Sequence, residues 1–357
     1  MRLSPILGVE TSCDETSVAI LAGDGSVHAN LIASQIERHR PFGGVVPEIA
    51  SREHLEHLMP LVERALEQAG VGRSELGAVA VTVGPGLIGA LLVGVAGAQG
   101  LAWGLGIPLI PVNHLEGHIV SPWLRSEGAA RPFPERFLSL VVSGGHSSIY
   151  DVAAAGETVV RMRNRTRDDA AGEVFDKVAK FVGLPYPGGP HVERVGRGGD
   201  AERFEFPLAR FRDGSPDFSF SGLKVKATRT ARELGLDRPA EGADPTQLLA
   251  DFCASFQKAV CDQILDRLDR VWDGIAAEPG PPPLEVGLAG GVAANGVLRA
   301  RIVAWGEGRG VLLRLPEPRF CTDNAAMIAF AGLTLDSSRA GDPARQKAAS
   351  RMPVGVV

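Results

Sequence analysis

Between Gly77 and Glu116 the chain carries no aspartate, glutamate, lysine or arginine. A run of that length can cross a bilayer, so it must be buried in lipid or in protein. Its punctuation points to protein: glycine recurs throughout, and Pro85, Pro108 and Pro111 interrupt it. The segment reads as a strand over 78–83, apolar throughout and so buried on both faces. A glycine- and alanine-rich helix over 87–105 follows, which must pack closely, and then a further strand. No membrane association is expected.

The rest of the chain fits that pattern. Residues 6–21 read as apolar strand, polar turn and apolar strand (ILGVE, TSCDETS, VAIL), and residues 137–152 repeat the plan (FLSLVV, SGGHSS, IYDV). Each opens about half of the chain, which suggests a duplicated fold. Amphipathic helices are expected over 54–69, stopped by Gly70, and over 246–272. A proline-rich break at 279–283 precedes a strand over 284–288, and residues 237–245 read as a surface loop. Strands alternating with helices indicate an α/β class. At 357 residues there is room for two domains.

A net charge of −5 excludes a uniformly basic surface but leaves room for a local phosphate-binding patch. Cys13, Cys253, Cys261 and Cys321 form no CxxC pair, which suits a reducing compartment. Residues 1–8 lack the pattern of a signal peptide. The expected location is the cytoplasm.

The sharpest candidate for chemistry is Asn113-His114-Leu115-Glu116-Gly117-His118. Histidines at i and i+4 share one helix face and can hold one metal ion. Glu116 is two residues past His114, rotated by about 200°, and so points away from that face. A third ligand must come from elsewhere. Asp323 precedes an apolar helix over 325–335 and is either that ligand or a plain N-cap. Gly84-Pro85-Gly86-Leu87-Ile88-Gly89 fits GxGxxG, yet the acid expected about 20 residues later in a dinucleotide site is missing, so close helix–sheet packing explains it better. Glycine-rich turns recur at 143–146, 188–190 and 289–295, and the last, between a buried strand and a helix, has amides free for an anion. Asp14 and Glu15 in the first turn read as ordinary turn chemistry or as neighbours of a phosphate or cation. Arg161, Arg163, Arg165 and Arg167 alternate and are either a phosphate-binding face or plain solvated surface. Lys224, Lys226 and Arg229 would extend the patch.

Nine segments, in order, carry a resemblance that reaches to about residue 335: GVETSCDETSVAIL, GGVVPEIASREHLE, VTVGPGLIGALLVG, VNHLEGH, VVSGGHSSI, TRDDAAGEVFDKVAKFVGLPYPGGP, FSFSGLK, AGGVAANGVLR and CTDNAAMIA. The chain resembles the TsaD-type catalytic subunit of tRNA threonylcarbamoyladenosine synthase, a family formerly described as O-sialoglycoprotein endopeptidase. The resemblance implies an actin-like ATPase fold of the sugar-kinase and heat-shock-chaperone type, with two related RNase H-like domains around a nucleotide cleft. The expected domains are 1–136 plus 321–357, and 137–320. By position in the motifs, His114, His118 and Asp323 are the implied metal ligands, for iron or zinc. Val141, Val142, Ser143, Gly144 and Gly145 are implied to line the adenylate site, with Asp176 and Gly189 at the ribose and Asn295 also at the adenylate. Asp14 and Glu15 correspond to acidic residues near the phosphate, and either is a candidate proton acceptor.

The implied reaction passes threonylcarbamoyl from its adenylate to the exocyclic amine of the adenosine beside the tRNA anticodon, releasing AMP; the cleft would hold the adenylate, or ATP or AMP. The implied partners are tRNA, a degenerate TsaB-type paralogue and a small TsaE-type P-loop ATPase, and a homodimer of the isolated chain stays open. Leu184-Pro185-Tyr186 and His191-Val192 depart from the family pattern without touching an assigned residue. Three rival readings are a zinc glycoprotease, which needs a base beside the metal, an inactive actin-like scaffold, and a sugar kinase, for which no strong catalytic aspartate stands out.

Overall fold

The computed structural model describes residues 3–154, 158–237, 246–335 and 337–355. The loop expected at 237–245 lies outside them but for its first residue. The contacts divide the chain into two compact units, Met1–Glu135 with Val152–Arg161 and Pro316–Val357, and Arg136–Asp151 with Met162–Leu315.

The first unit is built on strands β1 (Ile6–Glu10), β2 (Glu15–Leu21) and β3 (Val27–Ser34), a short helix α1 (Ile36–His39) and a long helix α2 (Pro47–Ala69). Then come β4 (Ala78–Gly84), α3 (Ile88–Leu105), β5 (Leu109–Asn113) and α4 (His114–Val120). Its sheet runs β3-β2-β1-β4-β5, with β1 antiparallel to β2 and parallel to β4, and β4 parallel to β5. Every residue of β1, β4 and β5 is buried. Strand periodicity sorts them between two layers. Leu7, Val9, Val79 and Val81 join a core with Leu58, Val62 and Ala65 of α2 and with Val95 and Ala98 of α3. Gly8 faces the other way, against helix α10 (Ala325–Thr334), where an added Cβ would stand 2.3 Å from the Ala325 carbonyl oxygen. Cover on both faces is why β4 and β5 carry no charge.

Helix α3 departs from the expectation of full burial. Ala90, Leu91, Gly94, Val95, Ala98 and Ala102 are buried, and at Gly94 a Cβ would meet the Thr11 hydroxyl at 2.2 Å. The opposite face shows Ile88, Leu92 and Trp103 to solvent, Trp103 at 82% exposure. Among the described residues α3 is the one helix long and apolar enough to cross a membrane. The GxGxxG loop ahead of it is no phosphate cradle: Gly86 N–H donates to the Ser350 carbonyl and Leu87 N–H to that of Ser12.

The second unit contains β6 (Arg136–Val142), β7 (Ser147–Ala153) up to Asp151, β8 (Val159–Arg165) from Met162, α5 (Ala171–Phe181), α6 (Gly188–Gly196) and α7 (Ser221–Glu233). They are followed by the 30-residue α8 (Gln247–Ala276), β9 (Glu285–Ala289), α9 (Gly296–Glu307) and β10 (Leu312–Arg314). Its sheet reads β8-β7-β6-β9-β10, with β6–β9 and β9–β10 parallel. That is the strand order of the first sheet element for element, so the two strand-turn-strand openings belong to a duplicated α/β fold. Helix α8 is the spine of this core, with Phe252 and Phe256 stacked along one face and Phe206 edge-on to both.

Candidate metal centre

Strand β5 runs straight into α4, and Asn113 makes the join. Its side-chain oxygen accepts from Leu115 N–H at 2.9 Å, capping the helix, while its amide donates to the Met352 and Pro353 carbonyls. Helical phase from that cap puts His114 and His118 on one face, their rings edge to face with centroids 4.7 Å apart. Asp323 reaches them from the start of α10. It is not that helix's cap: Asn324 is, accepting from Met327 N–H at 3.1 Å. The Asp323 carboxylate faces the histidines instead. Its Oδ1 lies 3.1 Å from His118 Nε2 and 3.6 Å from His114 Nε2. Tetrahedral zinc, with bonds of about 2.0–2.1 Å, separates its donor atoms by roughly 3.3 Å, which these two distances bracket.

The donor set fits a metal ion. All three donor atoms lie within 4.8 Å of one another. Two imidazoles and one carboxylate suit zinc or iron and leave coordination positions open. His118 Nδ1 is a buried nitrogen without a hydrogen-bond partner among the described residues, so that ring is tied down only at its donor end.

Behind His114 stands Glu10, fully buried at the end of β1, which the sequence did not mark. Its Oε2 is 3.1 Å from His114 Nδ1 and accepts the Thr82 hydroxyl at 2.6 Å, while Oε1 accepts Ser12 N–H at 2.5 Å. Burial works against charge on His114, but Asp323 and Glu10 outweigh it and hold the imidazolium up to about 9. Burial likewise pushes Glu10 up, yet His114 and the Thr82 bond bring its carboxyl below the usual range. The only sign that could have flagged Glu10 is an acid closing a buried apolar strand.

Glu116 faces the other side of α4. It is fully buried and takes both Arg339 guanidinium nitrogens at 2.8 and 3.3 Å and Gly355 N–H at 2.8 Å. Tied there, it cannot be the base beside a metal-bound water that a zinc protease requires.

Asp14 and Glu15 sit where the first turn enters β2. His54 Nε2 lies 2.9 Å from the Cys13 carbonyl, and Gln35 N–H donates to that of Asp14, so the turn is pinned from α2 and from the residue before α1. Burial, then the charges of Asp14 and Asp323, hold the Glu15 carboxyl well above its ordinary range, against a bond from Ser34.

In the second unit, Val141 and Val142 end the buried β6, and Ser143 closes the following turn by donating its N–H to the His146 carbonyl. Around Gly144 and Gly145 the space a side chain would fill is open, whereas a Cβ on Gly172, at the start of α5, would lie 2.8 Å from Gly144 N. Gly290 packs equally close to the Val142 carbonyl, so turns 143–146 and 289–295 and the head of α5 converge. Asp176 accepts Gly188 N–H at 2.6 Å, joining α5 to the start of α6 beside Gly189. The Asn295 amide is engaged at both ends, capping α9 through Leu298 N–H and donating to Gln257.

Two of the four alternating arginines are engaged in ion pairs. Arg163 is paired with Asp151 and Glu278, and Arg167 with Asp213 and Asp217. Lys224 is held by Asp169 and Arg229 by Glu233.

Comparison with known proteins places the chain in a family. The family model described as TsaD, tRNA N6-adenosine threonylcarbamoyltransferase, matches residues 26–330. The chain is 49% identical over 331 residues to the tRNA N6-adenosine threonylcarbamoyltransferase of Symbiobacterium thermophilum, covering 92% of this chain and 91% of that protein. It is 46% identical over 327 residues to the enzyme of that name from Desulfitobacterium hafniense, again covering 92% and 91%. Among solved structures, HypF from T. kodakarensis superposes with a TM-score of 0.56 at 15% identity, over 94% of this chain and 48% of HypF, a likeness of fold alone. The fold is the actin-like α/β type, and the chain belongs to the TsaD family of tRNA N6-adenosine threonylcarbamoyltransferases.

Proposed function

We propose that this chain transfers threonylcarbamoyl from threonylcarbamoyl-adenylate to N6 of the adenosine beside the anticodon of tRNA, releasing AMP, with one zinc or iron ion held by His114, His118 and Asp323. The observation that carries the metal reading is the convergence of two imidazole Nε2 atoms on one Asp323 oxygen. We assign the domains as 1–136 plus 321–357, and 137–320, and the location as cytoplasmic.

In bond terms, the N6 lone pair attacks the carbamoyl carbon, the bond from that carbon to the phosphate oxygen breaks, and AMP leaves with the electron pair. When bound, the metal ion would supply Lewis acidity toward the anhydride oxygens. The turn of Val141, Val142, Ser143, Gly144 and Gly145 seats the adenylate in the open space at the two glycines, whose amides are the candidate donors, with Asp176, Gly189 and Asn295 completing the seat. The attacking amine carries a proton that must go to a base. Glu15 suits that role because burial and the Asp14 charge raise its proton affinity. An aromatic amine is a weak nucleophile, so positioning supplies much of the rate.

Leu55 and Met59 of α2 and Ile88, Leu92 and Trp103 of α3 are exposed apolar residues on two packed helices. We assign that flank to the degenerate paralogue subunit; the small P-loop ATPase completes the assembly.

The test supplies purified adenylate and unmodified tRNA to the chain with both partner proteins. Release of AMP in step with labelled threonine on tRNA supports the reading. AMP release without label on tRNA contradicts it.

A further inference from the structure

Three side chains define the candidate metal centre, but they do not explain how its rings are aimed. His118 has no partner at Nδ1 among the described residues. His114 has one, the buried carboxylate of Glu10, 3.1 Å away, with the Ser12 hydroxyl also at 3.1 Å. An ionised carboxylate only accepts, so the hydrogen in that contact belongs to the imidazole Nδ1. With the proton fixed there, the Nε2 lone pair is the one left to ligate, and Nε2 is the atom that faces Asp323.

We propose that Glu10 is the positioning residue of this metal centre: it holds His114 with the proton on Nδ1, aims Nε2 into the site and so sets the affinity for a divalent transition metal. The inference rests on the metal reading above. A carboxylate behind a ligating histidine fixes its tautomer and rotation and strengthens it as a donor. Here the carboxylate is itself fixed, by Thr82 from β4 and by the Ser12 amide. That amide opens the turn carrying Asp14, so one buried acid anchors both the ligand ring and the acidic turn.

Glutamine cannot replace it, because it has one acceptor atom where glutamate has two. Turned with its oxygen to Ser12 N–H, it presents NH2 to His114 Nδ1 and demands the tautomer with the proton on Nε2, which cannot ligate. Turned the other way, it sets NH2 against the Ser12 amide hydrogen.

The test titrates the metal-free full-length protein with Zn2+ against a chromophoric chelator, and with Co2+ followed by its visible spectrum. Glu10→Gln is expected to bind on the order of 10- to 100-fold more weakly, with a changed cobalt spectrum. Asp251→Asn alters a buried carboxylate of the second unit that bonds Asp200 N–H, Arg203 and Gln247 and none of the proposed ligands, and is expected to keep wild-type affinity and spectrum. Should Glu10→Gln fail to fold, Glu10→Asp keeps the charge but draws it back from Nδ1, and it too is expected to lose affinity. Unchanged binding in the folded Glu10 variant, or an equal loss in Asp251→Asn, overturns the proposal. A wild type that takes up neither metal overturns the metal reading itself.

Discussion

The fully buried Glu116 and the half-buried Arg339 form a two-pronged ion pair, at 2.8 and 3.3 Å, on the side of α4 opposite the histidines. The C-terminal segment thus grips the helix that presents the candidate ligands. Breaking a buried pair from one side strands the remaining charge and costs about 3–5 kcal/mol. Arg339→Ala leaves Glu116 only the Gly355 amide. It is expected to lower unfolding stability by roughly that much in a denaturant titration. A loss within about 0.5 kcal/mol, typical of surface substitutions, would contradict the strap.

Gly8→Ala places a methyl group 2.3 Å from the Ala325 carbonyl oxygen, so α10 must back away from the sheet. Overpacking of this kind costs about 1–3 kcal/mol. Because Asp323 lies two residues before Ala325, the variant is expected to lose metal affinity as well as stability. Thermal unfolding and metal content of the same preparation check both, and loss of stability with full metal content would show that Asp323 is not coupled to this packing.

How much of this was legible in the sequence depends on range. The apolar run of β4 announced burial on both faces, and the i, i+4 histidines announced their shared face. The start of α2 was missed by seven residues, because Pro47 opens the helix at a position where proline's missing N–H costs nothing. By position alone Asp323 stayed open between ligand and cap, because the true cap, Asn324, is its neighbour. Glu10 and the C-terminal strap were illegible for a different reason. Glu10 gains its role from Thr82 and His114, 72 and 104 residues away, and the strap bonds largely through backbone carbonyls of Ser350, Met352 and Pro353, which carry no side-chain signature.

His54 sets a pH dependence of stability. Burial, the largest influence, pulls its folded-state pKa below 6.5, against the Cys13 carbonyl bond and nearby acids that raise it. Below about 6.5 the unfolded chain binds a proton that the folded state resists, so stability falls as pH falls from there toward the folded value. Above 6.5 the contribution is fully present. Unfolding midpoints at pH 7.5 and 5.5 are expected to differ less in His54→Gln than in wild type; equal differences would remove His54 as the cause.

Metal uptake is expected to strengthen as pH rises toward 9. Without a cation, Asp323 and Glu10 hold His114 as an imidazolium up to about 9 despite burial, and its ring has no lone pair to ligate with until Nε2 gives up its proton. Each ion bound therefore displaces that proton. Zinc competition titrations at pH 6.5, 7.5 and 8.5 check this, and an affinity independent of pH would contradict it.

The account stands or falls on whether transfer to tRNA runs through the His114, His118 and Asp323 centre. The direct measurement is labelled threonine incorporated into unmodified tRNA, with bicarbonate, ATP, the adenylate-forming enzyme and both partner proteins present. Wild type, His114→Ala, His118→Ala and Asp323→Ala are assayed side by side, with the metal content of each determined. The account predicts that wild type carries about one ion per chain and labels tRNA, and that the three folded variants lose both. Full labelling by a folded variant that carries no metal would contradict it.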